Sequence, residues 1–283
     1  MSTIIGLGSA GCNIADEFAK YPQYHVYKID AGLHGENCFD FPEQPDHENY
    51  EKNCPPMDEF FKDVSGEVLF ILGGSGTISG ASLRILAHLK HCKVGILYIK
   101  PDYELLSETK RLQERVVFGI LQEYARSGVF ERIYLVLNQK LEEVLGEVPI
   151  AEYYDKLNSL LVTTIHMLNI FKNTEPVTNT FSVPVPSARI LTLGVFSPET
   201  GEEKMFFPLD IEREKRYYYG INEEVLKTDG SLFKKIKERI KEEKTRASYG
   251  IYQTQYNKNY GYIISYSSKI QLDKLEISEY TID

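Results

Sequence analysis

Two glycine-rich stretches of this chain have the composition of phosphate-binding loops. GLGSAGCN, at residues 6–13, has the spacing G-x-G-x-x-G, and GGSGTISG, at residues 73–80, combines four glycines with three hydroxyl side chains. Each stretch follows an apolar run and precedes a helical pattern. Glycines allow backbone N–H groups to approach an oxyanion, and a helix N-terminus favours negative charge. The pattern therefore predicts two loops that hold phosphates.

A dinucleotide site is one interpretation of the first loop. Asp30 follows Gly11 by 19 residues and ends the apolar run YHVYKID. A Rossmann domain has an acid at this place that binds the NAD ribose. An NAD-dependent Rossmann oxidoreductase is therefore an alternative, although it provides no role for the second glycine-rich loop.

A zinc site is not expected. His34, Cys38, His47 and Cys54 are close in sequence, but their spacing matches no zinc finger or ribbon, so we interpret them as loop residues. The four cysteines of the chain include no C-x-x-C pair, which favours free thiols in a reducing cytoplasm.

Charge and hydropathy exclude two classes of partner. The formal net charge of −9 argues against direct binding to nucleic acid or to an anionic membrane. The apolar runs are shorter than the roughly 18 residues that a membrane-spanning helix needs. We therefore expect a cytoplasmic protein.

The elements that position the two loops follow an alternating pattern. Continuous apolar runs are typical of buried parallel strands, and they predict strands at residues 3–5, 24–29, 67–72, 94–99 and 132–137. Helical periodicity predicts helices at 9–20, 80–92, 104–126 and 151–172. The expected fold class is α/β: a doubly wound, mostly parallel nucleotide-binding domain at 1–150, followed by a long central helix at 151–172.

The rest of the chain is expected to be a linker and a second domain. Three prolines predict a linker or interface loop at 173–186, and residues 187–283 predict a smaller α+β domain. In that domain we expect a charged helix at 231–246 and a strand hairpin around 257–259. Residues 32–56 predict a long functional loop, and the acidic residues 274–283 predict a partner-binding segment or a frayed end.

The paired loops resemble those of the tubulin/FtsZ family of filament-forming GTP-binding proteins. GLGSAGCNI is similar to the first nucleotide loop of the family, including Asn13. GGSGTISGA is similar to the family signature G-G-G-T-G-[ST]-G when it is aligned from Gly74. In that alignment Ser75 and Ile78 replace glycines, whereas Thr77 and the following Ser-Gly match.

Later segments extend the resemblance. VGILYIKPDYELLSETKR resembles the strand, Lys-Pro turn and sugar-contacting loop of FtsZ, which implies Glu104 or Glu108 as the ribose acid and Arg111 as the family arginine. The resemblance also implies Asn138 and Asn158 as guanine contacts. One amide donates to guanine O6, while the carbonyl of the other accepts from the N1 or N2 hydrogens.

The resemblance implies a GTP or GDP site, with Mg²⁺, and head-to-tail self-assembly into filaments. The implied nucleotide-binding residues are Gly8, Ser9, Ala10, Gly11, Cys12, Asn13, Gly74, Ser75, Gly76, Thr77, Ile78, Ser79, Glu108, Arg111, Asn138 and Asn158.

The chain departs from the family where the next subunit supplies catalytic acids. The family loop reads N-x-D-x-x-D, but here Asn179 is followed by Phe181 and Pro184 at the aspartate positions. Glu175 is the nearby carboxylate. Because hydrolysis needs a group that orients the attacking water, we expect weakened or lost GTP hydrolysis. A tubulin-like scaffold that does not hydrolyse nucleotide is the second alternative, and no catalytic residue is assigned.

Overall fold

Six parallel strands form the first part of a single sheet. The computed structural model describes residues 2–272, so the acidic segment 274–283 lies outside the described residues. The strands pair in the order β3-β2-β1-β4-β5-β6. Their bounds are β1 Ser2–Leu7, β2 Tyr24–Asp30, β3 Cys38–Asp40, β4 Glu67–Gly73, β5 Lys93–Lys100 and β6 Arg132–Leu137.

Helices cover both faces of these strands. They are α1 Gly8–Ala19, α2 His47–Lys52, α3 Ser82–Ala87, α4 Glu108–Ser127, α5 Asn138–Leu145 and α6 Tyr153–Lys172. Successive residues of β1 point to opposite faces: Ile5 belongs to the core that includes Phe118 of α4, whereas Ile4 belongs to the core that includes Phe18 of α1 and Leu161 of α6. The sheet is therefore doubly wound.

Three predicted segments differ in detail from the structure. The helix expected at 80–92 is a 3₁₀ turn, Thr77–Ala81, followed by the short α3. Gly80 lies close to the start of α2, where a Cβ would be 2.2 Å from the carbonyl oxygen of His47. The helix expected from 104 begins at Glu108, where Ser107 caps it. The expected loop 32–56 contains β3 and α2, which Asp46 caps through the Asn49 N–H at 2.8 Å.

The sheet continues into the second half of the chain. Its later strands are β7 Thr178–Asn179, β8 Ile190–Phe196, β9 Glu203–Met205, β10 Glu214–Asn222, β11 Arg246–Thr254 and β12 Tyr260–Ser267, with helices α7 Glu223–Thr228 and α8 Leu232–Glu242. The order onward from β6 is β8-β12-β10-β11-β7, and β9 pairs with β8. The predicted mostly parallel α/β fold is confirmed. Because β6 pairs directly with β8, one sheet joins the two halves of the chain, and the domain limits stay a prediction.

The predicted hairpin around residues 257–259 is wrong. β11 and β12 are adjacent in sequence, but β10 lies between them, parallel to β11 and antiparallel to β12. The alternating tyrosine-rich pattern is common to all three strands, so the sequence does not distinguish which pair is adjacent. Within residues 2–272, the helices are too short or too polar to cross a membrane.

Replacing Gly6 by Ala tests the close approach of α1 to β1. A Cβ at Gly6 would lie 2.4 Å from the carbonyl oxygen of Gly11, which cannot move without shifting α1. We expect the free energy of unfolding, measured with urea, to fall by about 1–3 kcal/mol. The control is Gly119→Ala in α4, where a Cβ meets no atom within 4 Å. This control should gain about 0.5–1 kcal/mol; equal stabilities of the two variants would contradict the argument.

Candidate functional site

The two glycine-rich loops meet in one cleft at the carboxyl edge of the parallel strands. The cleft has a volume of about 410 Å³. The first loop contributes Gly8, Ser9 and Ala10 to its lining, and the second contributes Gly73, Ser75, Gly76, Thr77, Ile78 and Ser79. Leu7, Asp30, Tyr50 and Lys110 complete it.

The first loop is a direct transition from strand to helix. Leu7 is extended, and α1 begins at Gly8, which has a left-handed φ of +69°. A Cβ on Gly8 would also lie 2.8 Å from Cγ2 of Ile78 in the second loop. The unpaired N–H groups in the first turn of α1 therefore lie at the cleft, where the helix dipole favours an anion.

The second loop packs directly against the first. A Cβ on Gly73 would lie 3.1 Å from the Cβ of Ala10, so the two loops are in contact. The Gly74 N–H donates to the carbonyl oxygen of Ile99 at 3.0 Å. Gly74 is thereby held against β5 and faces the protein interior, while residues 75–79 line the cleft.

The cleft contains one carboxylate and one ammonium group among its lining residues. Asp30, at the end of β2, accepts a hydrogen bond from Ser9 Oγ at 3.0 Å and one from the Ala31 N–H at 3.0 Å. Lys110 is in the first turn of α4. The predicted site residue Arg111 follows Lys110 and does not line the cleft; its Nε donates to the carbonyl oxygen of Leu106 at 3.1 Å, and its role stays a prediction. The cap at Ser107 is the sequence signal that could have placed Lys110 at the cleft.

Burial keeps two titratable groups near the loops, His47 and Cys12, in their neutral forms. His47 Nε2 is 3.4 Å from Ser79 Oγ, and burial lowers the pKa of His47, so its ring is uncharged at pH 7. Burial raises the pKa of Cys12 to about 12, and its thiol contacts the carbonyl oxygens of Gly6 and Ile29. Cys12 therefore packs beneath the first loop as a protonated thiol. Among residues 2–272, no three His, Cys, Asp or Glu side chains cluster as a metal site would require.

A buried ionic network supports the second loop from below. Glu114 is fully buried, and its Oε1 lies 2.9 Å from Lys100 Nζ. The hydroxyl of Tyr98 donates to Oε1 at 2.8 Å, and that of Tyr103 donates to Oε2. A Cβ on Gly74 would meet both the Tyr98 hydroxyl and Cγ of Glu114. The network thus packs against Gly74 and supports it, and no sequence motif indicated this network.

The other predicted site residues do not line the cleft. Among the described residues, its lining does not include Gly11, Cys12, Asn13, Gly74, Glu108, Arg111, Asn138 or Asn158. Asn138 is the first residue of α5, directly after β6, and Asn158 is in the second turn of α6. The two helices are in contact, where Tyr153 donates to Glu142 at 3.0 Å. Both asparagines are half-buried, and Asn138 lies at the same sheet edge as the cleft.

The segment that follows α6 lies on the side of the amino ends of the parallel strands, opposite the cleft. The end of α6 lines a second cleft together with the first residues of β1, β4, β5 and β6. A helix of 20 residues is about 30 Å long. Glu175 is exposed just beyond this end, and Phe181 packs on Tyr218 with the ring centroids 5.0 Å apart. Residues 173–186 are thus far from the glycine-rich loops of their own chain.

Solved structures of tubulin-like proteins match the chain in fold. No family model and no curated protein matches it. TubZ from Bacillus thuringiensis serovar israelensis, in a GTPγS-form protofilament, has a TM-score of 0.69 at 15% identity, covering 95% of this chain and 87% of that chain. FtsZ from M. jannaschii has a TM-score of 0.67 at 10% identity, covering 95% and 88%.

CetZ1 from Haloferax volcanii, a GDP-bound monomer, has a TM-score of 0.67 at 16% identity, covering 95% of this chain and 94% of that chain. The chain therefore has the fold of the tubulin/FtsZ family, as the resemblance of its glycine-rich loops predicts.

Replacing Lys100 by Met tests the network beneath the second loop. The change leaves the Glu114 carboxylate buried without its cation, which costs about 3–5 kcal/mol of the free energy of unfolding. Urea denaturation measures this loss. In the double variant Lys100→Met/Glu114→Gln both charges are gone, the amide oxygen accepts from one tyrosine hydroxyl, and the amide NH2 group donates to the hydroxyl oxygen of the other. Most of the stability should return, and a double variant as unstable as Lys100→Met would contradict the assignment.

Proposed function

We propose that this chain binds a guanine nucleotide, GTP or GDP, with its phosphates between the two glycine-rich loops. The observation that carries the proposal is that both loops line one cleft at the N-terminus of α1. Two tubulin-like neighbours support it, since TubZ is in a GTPγS form and CetZ1 is bound to GDP.

Each part of the cleft has a role in this proposal. The N–H groups of the first turn of α1 and of residues 75–79 hold the phosphates, and Lys110 neutralises part of their charge. Mg²⁺ prefers oxygen ligands, which the hydroxyls of the second loop and Asp30 offer. Asn138 and Asn158 bind guanine beyond the cleft, and Glu108 and Arg111 lie on the ribose side.

An NAD site is the second candidate, and one observation favours it. Asp30 ends β2 and lines the cleft, which is the place of the ribose acid in a Rossmann domain. However, Asp30 accepts from Ser9, and the second glycine-rich loop also lines the cleft. The guanine nucleotide explains both loops, whereas NAD needs one.

Nucleotide-dependent stability tests the proposal. At a hundredfold excess over its dissociation constant, a ligand raises the free energy of unfolding by about 2.7 kcal/mol. We expect GTP and GDP to produce this gain in thermal and urea unfolding, and NAD and NADP to produce none. A gain with NAD alone would overturn the proposal in favour of the oxidoreductase.

A negative charge introduced into the cleft provides a second test, with a matched control variant outside the cleft. Ser75→Asp places a carboxylate where the phosphates bind, so its gain from GTP should be lost by repulsion. Ser187 is an exposed serine in the segment that precedes β8, and Ser187→Asp should keep the full gain. Equal gains in both variants would place the nucleotide elsewhere.

We also propose that copies of this chain stack head to tail. Residues 173–186 lie on the side of the amino ends of the parallel strands, whereas the cleft lies at their carboxyl ends. These residues therefore reach a cleft only in another copy. Such heterologous contacts produce open filaments when the rotation does not close a ring. The neighbours in protofilaments, such as TubZ, support this arrangement. Because Phe181 and Pro184 stand at the aspartate positions, hydrolysis is weak or lost, and the limiting case is a scaffold that does not hydrolyse GTP.

Sedimentation and phosphate release test assembly and hydrolysis together. We expect a pellet and filaments by electron microscopy with GTP or a slowly hydrolysed analogue, and little phosphate release at the same protein concentration. Absence of both pellet and filaments would contradict head-to-tail stacking. Rapid phosphate release that Glu175→Ala abolishes would show that Glu175 replaces the missing aspartates.

A further inference from the structure

An apolar row runs along the outer face of α4. Leu112, Val116, Ile120 and Tyr124 are 53%, 63%, 37% and 37% exposed, at a spacing of four residues. Residues four apart on a helix lie one above the other, so these side chains form a continuous apolar row. Four neighbouring apolar side chains on the outer face of one helix are characteristic of a contact surface, whereas single exposed apolar residues are ordinary.

The chain is attached to α4 just before its last described residue. The N–H of Gln271 donates to Oε1 of Gln122 at 2.8 Å, and Nε2 of Gln122 donates back to the carbonyl oxygen of Gln271 at 3.2 Å. Both residues are buried. The described part of the chain therefore ends beside the C-terminal half of α4.

The length of this segment is sufficient for the whole row. Eleven residues span at most about 36 Å when extended, and a 20-residue helix is about 30 Å long. The row begins ten residues before Gln122 and ends two residues after it, so every part of it lies within reach.

The chemistry of residues 273–283 complements α4. Leucine, isoleucine and tyrosine alternate with acids in the sequence DKLEISEYTID. Arg115 and Arg126, seven residues before and four after Gln122, are exposed on the side of α4 where the chain is attached. Apolar side chains of the segment match the row, and its carboxylates match the arginines.

We propose that residues 273–283 bind the apolar row of α4 in the same chain, with their acidic side chains towards Arg115 and Arg126. This segment thus covers the apolar row, and the partner of the acidic segment is α4 of the same chain. The proposal does not depend on the bound nucleotide, because the apolar row and the two arginines do not line the cleft.

A single tryptophan tests this proposal, because the chain has none. In the full chain with Tyr280→Trp, without nucleotide, we expect blue-shifted emission and weak quenching by acrylamide. Adding Val116→Ser removes the apolar contact of one valine, which shifts the ratio of bound to free segment about tenfold towards the free form. Emission should then move to longer wavelength, and quenching should increase.

The matched control and the dilution series decide the outcome. Phe233 of α8 is 42% exposed, and adding Phe233→Ser to Tyr280→Trp should leave emission and quenching unchanged. Shielding that is constant on dilution supports binding within one chain. Shielding that disappears on dilution would assign the row to a second copy, and a solvent-exposed Trp in the Tyr280→Trp chain or an equal response to both serine variants would overturn the proposal.

Discussion

The cleft depends on the backbone contact between β1 and α1. A Cβ at Gly6 would meet the carbonyl oxygen of Gly11, and a Cβ at Gly11 would meet that of Ile71 in β4 at 2.5 Å. These two glycines therefore let α1 lie directly over two strands. Because α1 starts so close to the sheet, its N-terminus comes into contact with the second loop at Ala10 and Gly73. The glycines of the G-x-G-x-x-G pattern thus act first in packing, and the position of the α1 N-terminus at the cleft is a consequence of that packing.

The second loop depends on a different device, a buried ion pair. Glu114 and Lys100 come from α4 and β5, and two tyrosine hydroxyls satisfy the remaining acceptor sites of the carboxylate. A buried carboxylate with this many partners has one low-energy position. The position of Gly74, which rests on Tyr98 and Glu114, is thereby coupled to that of α4, whose first turn supplies Lys110 to the cleft.

The segment after α6 has a structural use. Thr178 and Asn179 extend the sheet beside β11, and Phe181 packs on Tyr218. These contacts attach the segment to the tyrosine-rich strands. The glycine-rich loops lie at the carboxyl ends of the parallel strands and take no part in these contacts.

Local patterns were sufficient for five of the six strands β1–β6, all but β3, for α1 and α6 and for both glycine-rich loops. Each depends on a short-range cause: continuous apolar runs for buried strands, 3.6-residue periodicity for helices, and glycine where the backbone makes close contacts. The same causes did not reveal the insertion of β10 between β11 and β12, because three similar strands can pair in several orders. They did not place Lys110 at the cleft, since the side chain that reaches the cleft depends on the helix phase set by the cap at Ser107.

The convergence of the loops, the Glu114 network and the location of residue 271 on α4 join residues that are far apart in sequence. Those relations were decided only by the packing of the whole sheet, because no local pattern specifies which distant side chain completes a hydrogen bond or fills a contact.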